Sequence, residues 1–169
     1  MPVDLSRVPP FYHRYIQLVE EQDLNEAYRQ HQLQSVGVLR ALPEERWGYR
    51  YAEGKWSIRE LVQHLIDAER IFCYRALRFA RHDKTELPGF EEDDYVAASA
   101  ADARTKNSLL EELSTVQRSS AQLFASFNEK QLNEDGTANG SSIYVLGIGF
   151  IIVGHVRHHL SILKERYGV

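Results

Sequence analysis

The chain has 169 residues, a net charge of -4, and hydrophobic side chains at 43% of its positions. These values are typical of a globular chain with a substantial core and exclude a disordered one, so we predict a single domain over residues 1–169. The charges form no basic stripe, which argues against a nucleic-acid partner.

The sequence favours a cytoplasmic protein without a membrane partner. Its one cysteine, Cys73, cannot form an internal disulfide, which suits a reducing compartment. The N-terminal residues lack the apolar segment of a secretion signal. The longest apolar stretch, residues 143–153, contains two glycines and is too short to span a bilayer, so we interpret it as part of a buried core helix.

The first predicted elements are a short helical lead-in and a long helix. The lead-in covers residues 11–19, after two prolines. The long helix covers residues 23–42, with Asp23 as its predicted N-cap and Pro43 as its stop. Mostly apolar residues share one face of it at spacings of three and four, which is typical of an amphipathic helix.

The second long helix is predicted to begin at Ser57. Ser57 and Glu60 have the spacing of a capping box, in which each side chain bonds the backbone N–H of the other residue. The apolar stripe of this helix fades near residues 82–83. A long loop follows and includes the acidic run of residues 91–94, so the next helix need not be a simple hairpin neighbour.

Two further helices complete the predicted set. The third covers residues 102–127, and residues 133–140 form a turn-rich break. The fourth covers residues 142–166 and is followed by Gly168, a residue type expected after a helix C-terminus. No segment shows convincing strand alternation. The fold class is therefore all-α, with four amphipathic helices packed as a four-helix bundle.

Three histidines are the candidate metal ligands. His155 and His159 lie four residues apart on one helix, about 40° from each other, in an otherwise aliphatic seam. Buried imidazoles need partners, and a shared metal ion would serve both rings. His64 borders the apolar face of the second helix and would give a third nitrogen ligand with an open coordination position.

Other interpretations of these histidines remain open on pattern alone. His158 could replace His159, because it also shares a helix face with His155. A single histidine on an apolar face, such as His31 or His64, is more often a hydrogen-bonded core residue than a ligand. Histidines four residues apart also occur by chance.

Several other side chains are candidates for supporting roles around this site. Asp67 could hold an imidazole N–H, and Tyr51 and Trp56 could form the wall of a pocket. Arg75 and Arg157 could bind an anionic substrate, although exposed arginines on helices are common. Cys73 lacks an evident activating cation, so we do not expect it to act as a nucleophile.

Two segments of the sequence resemble the signatures of the DinB superfamily. The first comprises residues 51–60 (YAEGKWSIRE) and 64–70 (HLIDAER). The second comprises residues 136–140 (GTANG) and 151–163 (IIVGHVRHHLSIL). The resemblance is strongest to the branch of metal-dependent hydrolases related to bacillithiol-type transferases. It implies a four-helix bundle with crossed rather than simple up-down connections.

The resemblance also implies one divalent metal ion, most often zinc or nickel, bound by three histidines. In this chain the matching positions are His64, His155 and His159. The function favoured at this stage is transfer of a low-molecular-weight thiol, the cofactor used by some relatives, to a small-molecule substrate. The alternatives are a metal-dependent hydrolase using metal-bound water and a non-enzymatic metal-binding or structural bundle. A homodimer is a further expectation.

Overall fold

The computed structural model describes residues 2–169, and most of these lie in seven α-helices. Three short 3-10 turns occur at Leu5–Arg7, Glu44–Gly48 and Ala101–Ala103. The α-helices are α1 (Pro10–Ile16), α2 (Leu24–Ala41), α3 (Ile58–Ala80), α4 (Glu92–Ala98), α5 (Lys106–Ala125), α6 (Glu129–Leu132) and α7 (Val145–Arg166).

The four long helices form a bundle with crossed connections. Helix α2 packs against α5 and α7, and α3 packs against the same two helices. The consecutive helices α2 and α3 therefore occupy diagonal corners of the bundle, as do α5 and α7. This arrangement confirms the predicted four-helix bundle without simple up-down order, and it makes α3 and α7 direct neighbours.

Capping side chains explain where the long helices begin. Asp23 caps α2, and Ser57 and Glu60 form the predicted capping box of α3, with Ser57 N donating to Glu60 Oε2 at 2.7 Å. Helix α5 begins later than predicted because Thr105 is its N-cap. The predicted start, Asp102, lies instead in a 3-10 turn, where it accepts a 2.6 Å hydrogen bond from Ser57 Oγ.

A β-hairpin replaces the turn-rich break that the sequence suggested. Strands β1 (Asp135–Ala138) and β2 (Ser141–Tyr144) pair antiparallel, so α7 begins at Val145 and the predicted start at residue 142 was wrong. Asn139 and Gly140 form the turn with φ angles of 51° and 69°. Asn-Gly readily adopts this left-handed pair of conformations, which matches the twist of a two-stranded hairpin.

Helix α7 is the core helix of the bundle. By length and composition it alone among the described helices could cross a membrane, but 67% of its most apolar window is buried inside the bundle. At Gly154 the short helix α1 crosses it so closely that a Cβ atom would lie 2.0 Å from the carbonyl oxygen of Tyr15. The glycine therefore allows α1 to cover the face of α7 that carries His155.

Candidate metal centre

The structure brings His64, His155 and His159 together between α3 and α7. His155 Nε2 lies 3.1 Å from His64 Nε2 and 3.1 Å from His159 Nε2. One nitrogen from each ring lies within 4.8 Å of the other two. The sequence predicted this grouping, with His159 rather than His158 as the partner of His155 on α7. Metal binding by these residues stays a prediction.

Hydrogen bonding alone does not account for this cluster. His155 Nε2 has two nitrogen neighbours, yet a neutral ring nitrogen carries either one proton or one lone pair and cannot satisfy both contacts well. Nitrogens bound at 2.0–2.1 Å around a tetrahedral ion would be about 3.3 Å apart, close to the 3.1 Å observed here. The three residues therefore fit a divalent metal ion.

Burial keeps the three rings neutral, as metal ligands must be. Their exposed fractions are only 3% for His64, 6% for His155 and 9% for His159. Desolvation lowers the pKa of His64 to about 4. It also lowers the pKa of His155 and of His159 well below the usual range, and the neighbouring imidazoles act in the same direction. At neutral pH each ring therefore offers a lone pair.

A cavity of about 280 Å³, called here the first cavity, opens onto His64 and His155. One wall is the face of α3 that carries Ala68, Phe72 and Arg75. The aromatic residues of α1 form another wall, with the Tyr15 ring centroid 5.3 Å from that of His155. The histidine cluster is thus buried in the bundle but accessible to a small molecule from one side.

A second cavity, of about 260 Å³, reaches the cluster at His159. Trp56 stands beside it, with its ring centroid 4.8 Å from that of His64, and its Nε1 donates a 3.0 Å hydrogen bond to Asp93 Oδ1. Tyr51 also lines this cavity but packs on Tyr167, at a centroid distance of 4.9 Å. The two aromatic residues therefore line the second cavity, and Trp56 alone of the pair contacts the histidines.

The supporting role considered for Asp67 does not match the structure. Asp67 accepts a 2.9 Å hydrogen bond from Gln63 Nε2, so it does not orient the imidazole of His64. Its position three residues later turns it about 60° away from His64 around α3. His158 is half-buried outside the cluster, with its ring centroid 5.2 Å from that of Tyr15.

Arg157 and Cys73 are also occupied elsewhere. Arg157 forms an ion pair with Glu21, at a shortest distance of 2.7 Å, so it is not free to meet a substrate. Cys73 Sγ donates to Ser120 Oγ at 3.1 Å, and burial raises the pKa of its thiol to about 12. The thiol therefore stays protonated, which agrees with the prediction that it is not a nucleophile.

Sequence reasoning missed Glu92 as a residue of the site. Its Oε2 lies 4.0 Å from His64 Nε2, at the mouth of the first cavity. Its pKa is raised, first by partial desolvation and then by the charge of Asp93. The acidic run of residues 91–94 was visible in the sequence. No spacing rule connects it with His64, because the loop between α3 and α4 determines their approach.

A second buried polar pair lies away from the histidine cluster. His31 Nε2 and Glu69 Oε2 are 3.7 Å apart, and both side chains are at most 2% exposed. Neither ring nitrogen of His31 has a hydrogen-bond partner within the part of the chain that the structure describes. His31 is therefore a buried core residue whose ring has no hydrogen bond among the described residues, and the expectation that it is a hydrogen-bonded one was wrong.

The sequence profile of the DinB superfamily matches residues 27–163, a segment that contains all three histidines. This chain belongs to the DinB superfamily. A protein of Oceanobacillus iheyensis, named "Putative metal-dependent hydrolase OB0413", is 26% identical over 130 residues, which are 75% of this chain and 73% of that protein.

A solved structure supports the fold of this DinB-superfamily chain. YfiT from Bacillus subtilis is described as a probable metal-dependent hydrolase with an unusual four-helix bundle topology. The two structures match with a TM-score of 0.66 at 19% sequence identity, over 93% of this chain and 87% of YfiT. At this identity the likeness shows the shared bundle topology.

Proposed function

We propose that this DinB-superfamily protein is a metal-dependent hydrolase of a small-molecule substrate. The observation that carries the proposal is the cluster of three neutral, buried imidazoles, two of which, His64 and His155, line the first cavity. The name of the Oceanobacillus iheyensis relative supports the same reaction class. The proposed ligands are His64, His155 and His159, and zinc or nickel suits such an all-nitrogen set.

The chain supplies the binding and proton-transfer groups that hydrolysis needs. A divalent ion held by the three histidines would supply a Lewis acid that polarises a substrate carbonyl and acidifies water. Glu92 is the proposed general base, because its carboxylate lies beside His64 and its raised pKa makes it a better proton acceptor than an ordinary glutamate.

In the proposed reaction, water oxygen forms a bond to the carbonyl carbon of an ester or amide. Glu92 takes one proton from that water and then gives it to the leaving alcohol or amine as the bond from carbon to the leaving group breaks. Aromatic side chains on either side limit access of bulk water to the first cavity, with Tyr15 and Phe72 nearest His155.

Hydrolysis of a panel of nitrophenyl esters and anilides by the zinc- or nickel-loaded protein tests this proposal. We expect Glu92→Gln to lower kcat by about 100-fold or more while the metal content stays unchanged. The matched control is Asp94→Asn, which removes an exposed carboxylate of the same acidic run that lines neither cavity, and it should leave kcat nearly unaltered. The proposal would be overturned if the metal-loaded wild type hydrolysed these substrates no faster than His155→Ala does.

A second candidate function, transfer of a low-molecular-weight thiol, is supported by the second cavity at His159. A transferase needs room for two reactants, and two cavities of similar volume reach the histidine cluster, one at His64 and His155 and the other at His159. In this reaction the thiol loses its proton to solvent, sulfur bonds to carbon, and chloride leaves a chlorinated electrophile. Conjugation by the loaded wild type but not by His155→Ala, using bacillithiol, mycothiol or glutathione, would favour transfer over hydrolysis.

A further inference from the structure

Arg75 is a buried cation without a carboxylate partner. Its side chain is on helix α3, and the residue is only 5% exposed. Within residues 2–169, no Asp or Glu oxygen lies within 4.0 Å of its guanidinium, whereas Arg157 pairs with Glu21 and Arg104 with Glu112. Buried charges are nearly always paired, because their desolvation is otherwise uncompensated. The positive charge of Arg75 is therefore not balanced by any carboxylate among the described residues.

The guanidinium lines the first cavity on the same helix face as His64. Residues 64 and 75 are eleven positions apart, which places them within about 20° around α3 and about 16 Å along it. The guanidinium carbon of Arg75 lies 5.8 Å from the ring centroid of Phe72, three residues nearer the N-terminus of α3, so the side chain extends in the direction of the histidine cluster. Ala68 and Phe72 form the apolar wall between the two ends of the cavity.

Backbone contacts hold Arg75 in place without using all of its hydrogen-bond donors. Its Nη2 donates a 3.0 Å hydrogen bond to the carbonyl oxygen of Pro88, a neutral group. The loop that contains Pro88 is fixed by the β-hairpin, since Leu87 N donates to Thr137 O at 3.0 Å and Asn139 N donates to Leu87 O at 2.9 Å. A guanidinium has five N–H donors, so others are available to a ligand.

The charges at the two ends of the first cavity differ in sign. Glu92 lies at the end near His64, while Arg75 is the cationic group farther along α3. In the metal-free protein an anionic group is disfavoured beside Glu92 and attracted to Arg75; with a metal ion bound, Glu92 offsets part of the charge of the ion, whereas no carboxylate offsets the charge of Arg75. This polarity can orient a bifunctional molecule so that its neutral, reactive part faces the histidine cluster.

We propose that Arg75 forms an oxyanion subsite, which binds a carboxylate or phosphate group of the substrate. Planar guanidinium donors match both oxyanions in a bidentate manner. The substrate class that follows is a small ester or amide with an acidic group at the far end from the bond that is cleaved. The assignment of that bond rests on the proposed hydrolase function, whereas the anion binding does not require it.

Anion binding to the metal-free protein tests the subsite alone. The probes are inorganic phosphate and glutarate, with glutaramide as the neutral analogue, followed through the NMR signals of the arginine side chains and by calorimetry. We expect millimolar or tighter binding of one or both anions. Arg75→Met should weaken that binding about tenfold or more, and Arg75→Lys should weaken it less.

The matched control is Arg81→Met, which removes an equal charge from the exposed residue just after α3. It should leave anion affinity within about twofold. Arg75→Met should unfold at the same or a higher temperature, because it removes an unpaired buried charge. Equal anion binding by wild type and Arg75→Met, or binding of neither anion by the wild type at millimolar concentration, would overturn the subsite.

Hydrolysis by the metal-loaded protein separates the subsite from the proposed function. We expect Arg75→Met to lower kcat/KM for the monoester of glutarate with 4-nitrophenol about tenfold, and to leave that for 4-nitrophenyl acetate unchanged. If neither ester is hydrolysed but phosphate binding depends on Arg75, the hydrolase proposal fails and the subsite stands. If Arg75→Met hydrolyses each of the two esters as well as the wild type does, the subsite proposal fails and the hydrolase proposal stands.

Discussion

His64, His155 and His159 are polar rings in an otherwise apolar part of the bundle. Each is at most 9% exposed, and burial disfavours the protonated form of all three. Without a metal ion these rings destabilise the folded state, because their nitrogen atoms lose hydrogen bonds to water and form few within the protein. A shared divalent ion removes this cost, since it bonds one nitrogen of each ring.

The metal-free protein should lose stability as the pH falls from 6.5 to about 4. In this window the unfolded chain binds a proton at His64, whose ordinary pKa is 6.5, while the folded chain, with a pKa of about 4, does not. His64 alone would then lower the free energy of unfolding by up to about 3 kcal/mol. Urea unfolding at several pH values measures this loss.

The matched variant for this experiment is His64→Gln, which has no titratable group. Its free energy of unfolding should fall less steeply over the same pH window, with the remaining slope arising from the other two histidines and from carboxylates whose pKa is lowered by ion pairing, such as Glu21. The same slope in wild type and His64→Gln would contradict the assignment of the lowered pKa to His64.

The residues of the site could be predicted from the sequence only in part. The spacing of His155 and His159 predicted one face of one helix, and the aliphatic residues around them predicted burial. The choice of His159 over His158, and the third member, His64, came from the family resemblance. Glu92 could not be placed, because its approach to His64 depends on a loop conformation that no local pattern determines.

At the scale of elements, the contact between α1 and α7 positions one wall of the site. It depends on Gly154, whose missing side chain lets the backbone of Tyr15 approach α7. The ring of Tyr15 then lies against His155 and His158, at centroid distances of 5.3 and 5.2 Å. A shift of α1 would therefore open the first cavity beside the histidine cluster.

Gly154→Ala should destabilise the protein by about 1–3 kcal/mol, because the new Cβ atom would overlap a backbone oxygen that cannot rotate away. Denaturant unfolding measures this change, and metal affinity should fall with it as Tyr15 moves.

The control is Gly37→Ala in α2, where nothing lies within 4 Å of the added carbon. Alanine at this position should leave stability unchanged or raise it by up to about 1 kcal/mol. An equal effect of the two substitutions would show that helix propensity, and not the approach of α1, determines the result at Gly154.

The elements themselves were predicted with uneven success. The predicted caps at Asp23 and Ser57 were confirmed because capping depends on residues within one turn. The hairpin of residues 135–144 was missed, although Asn139-Gly140 is a strong turn signal. Its strands are four residues long and lack apolar alternation, and they gain a further partner when Leu87 pairs with Ala138.

At the scale of the whole molecule, the crossed connections of the bundle create the site. Helices α3 and α7 are separated by more than sixty residues of sequence, yet they pack side by side and supply one and two histidines. Helical periodicity predicted four amphipathic helices but carried no information on which of them are neighbours. That pairing came from the family resemblance, since bundles of either topology bury the same apolar faces.

The most direct test of the account is the metal content of the protein prepared without a histidine tag, loaded with zinc or nickel, and dialysed. The account predicts about one equivalent of metal per chain for the wild type and less than about a tenth of an equivalent for His155→Ala. Less than about a tenth of an equivalent in the wild type, or equal metal content in the two proteins, would contradict it.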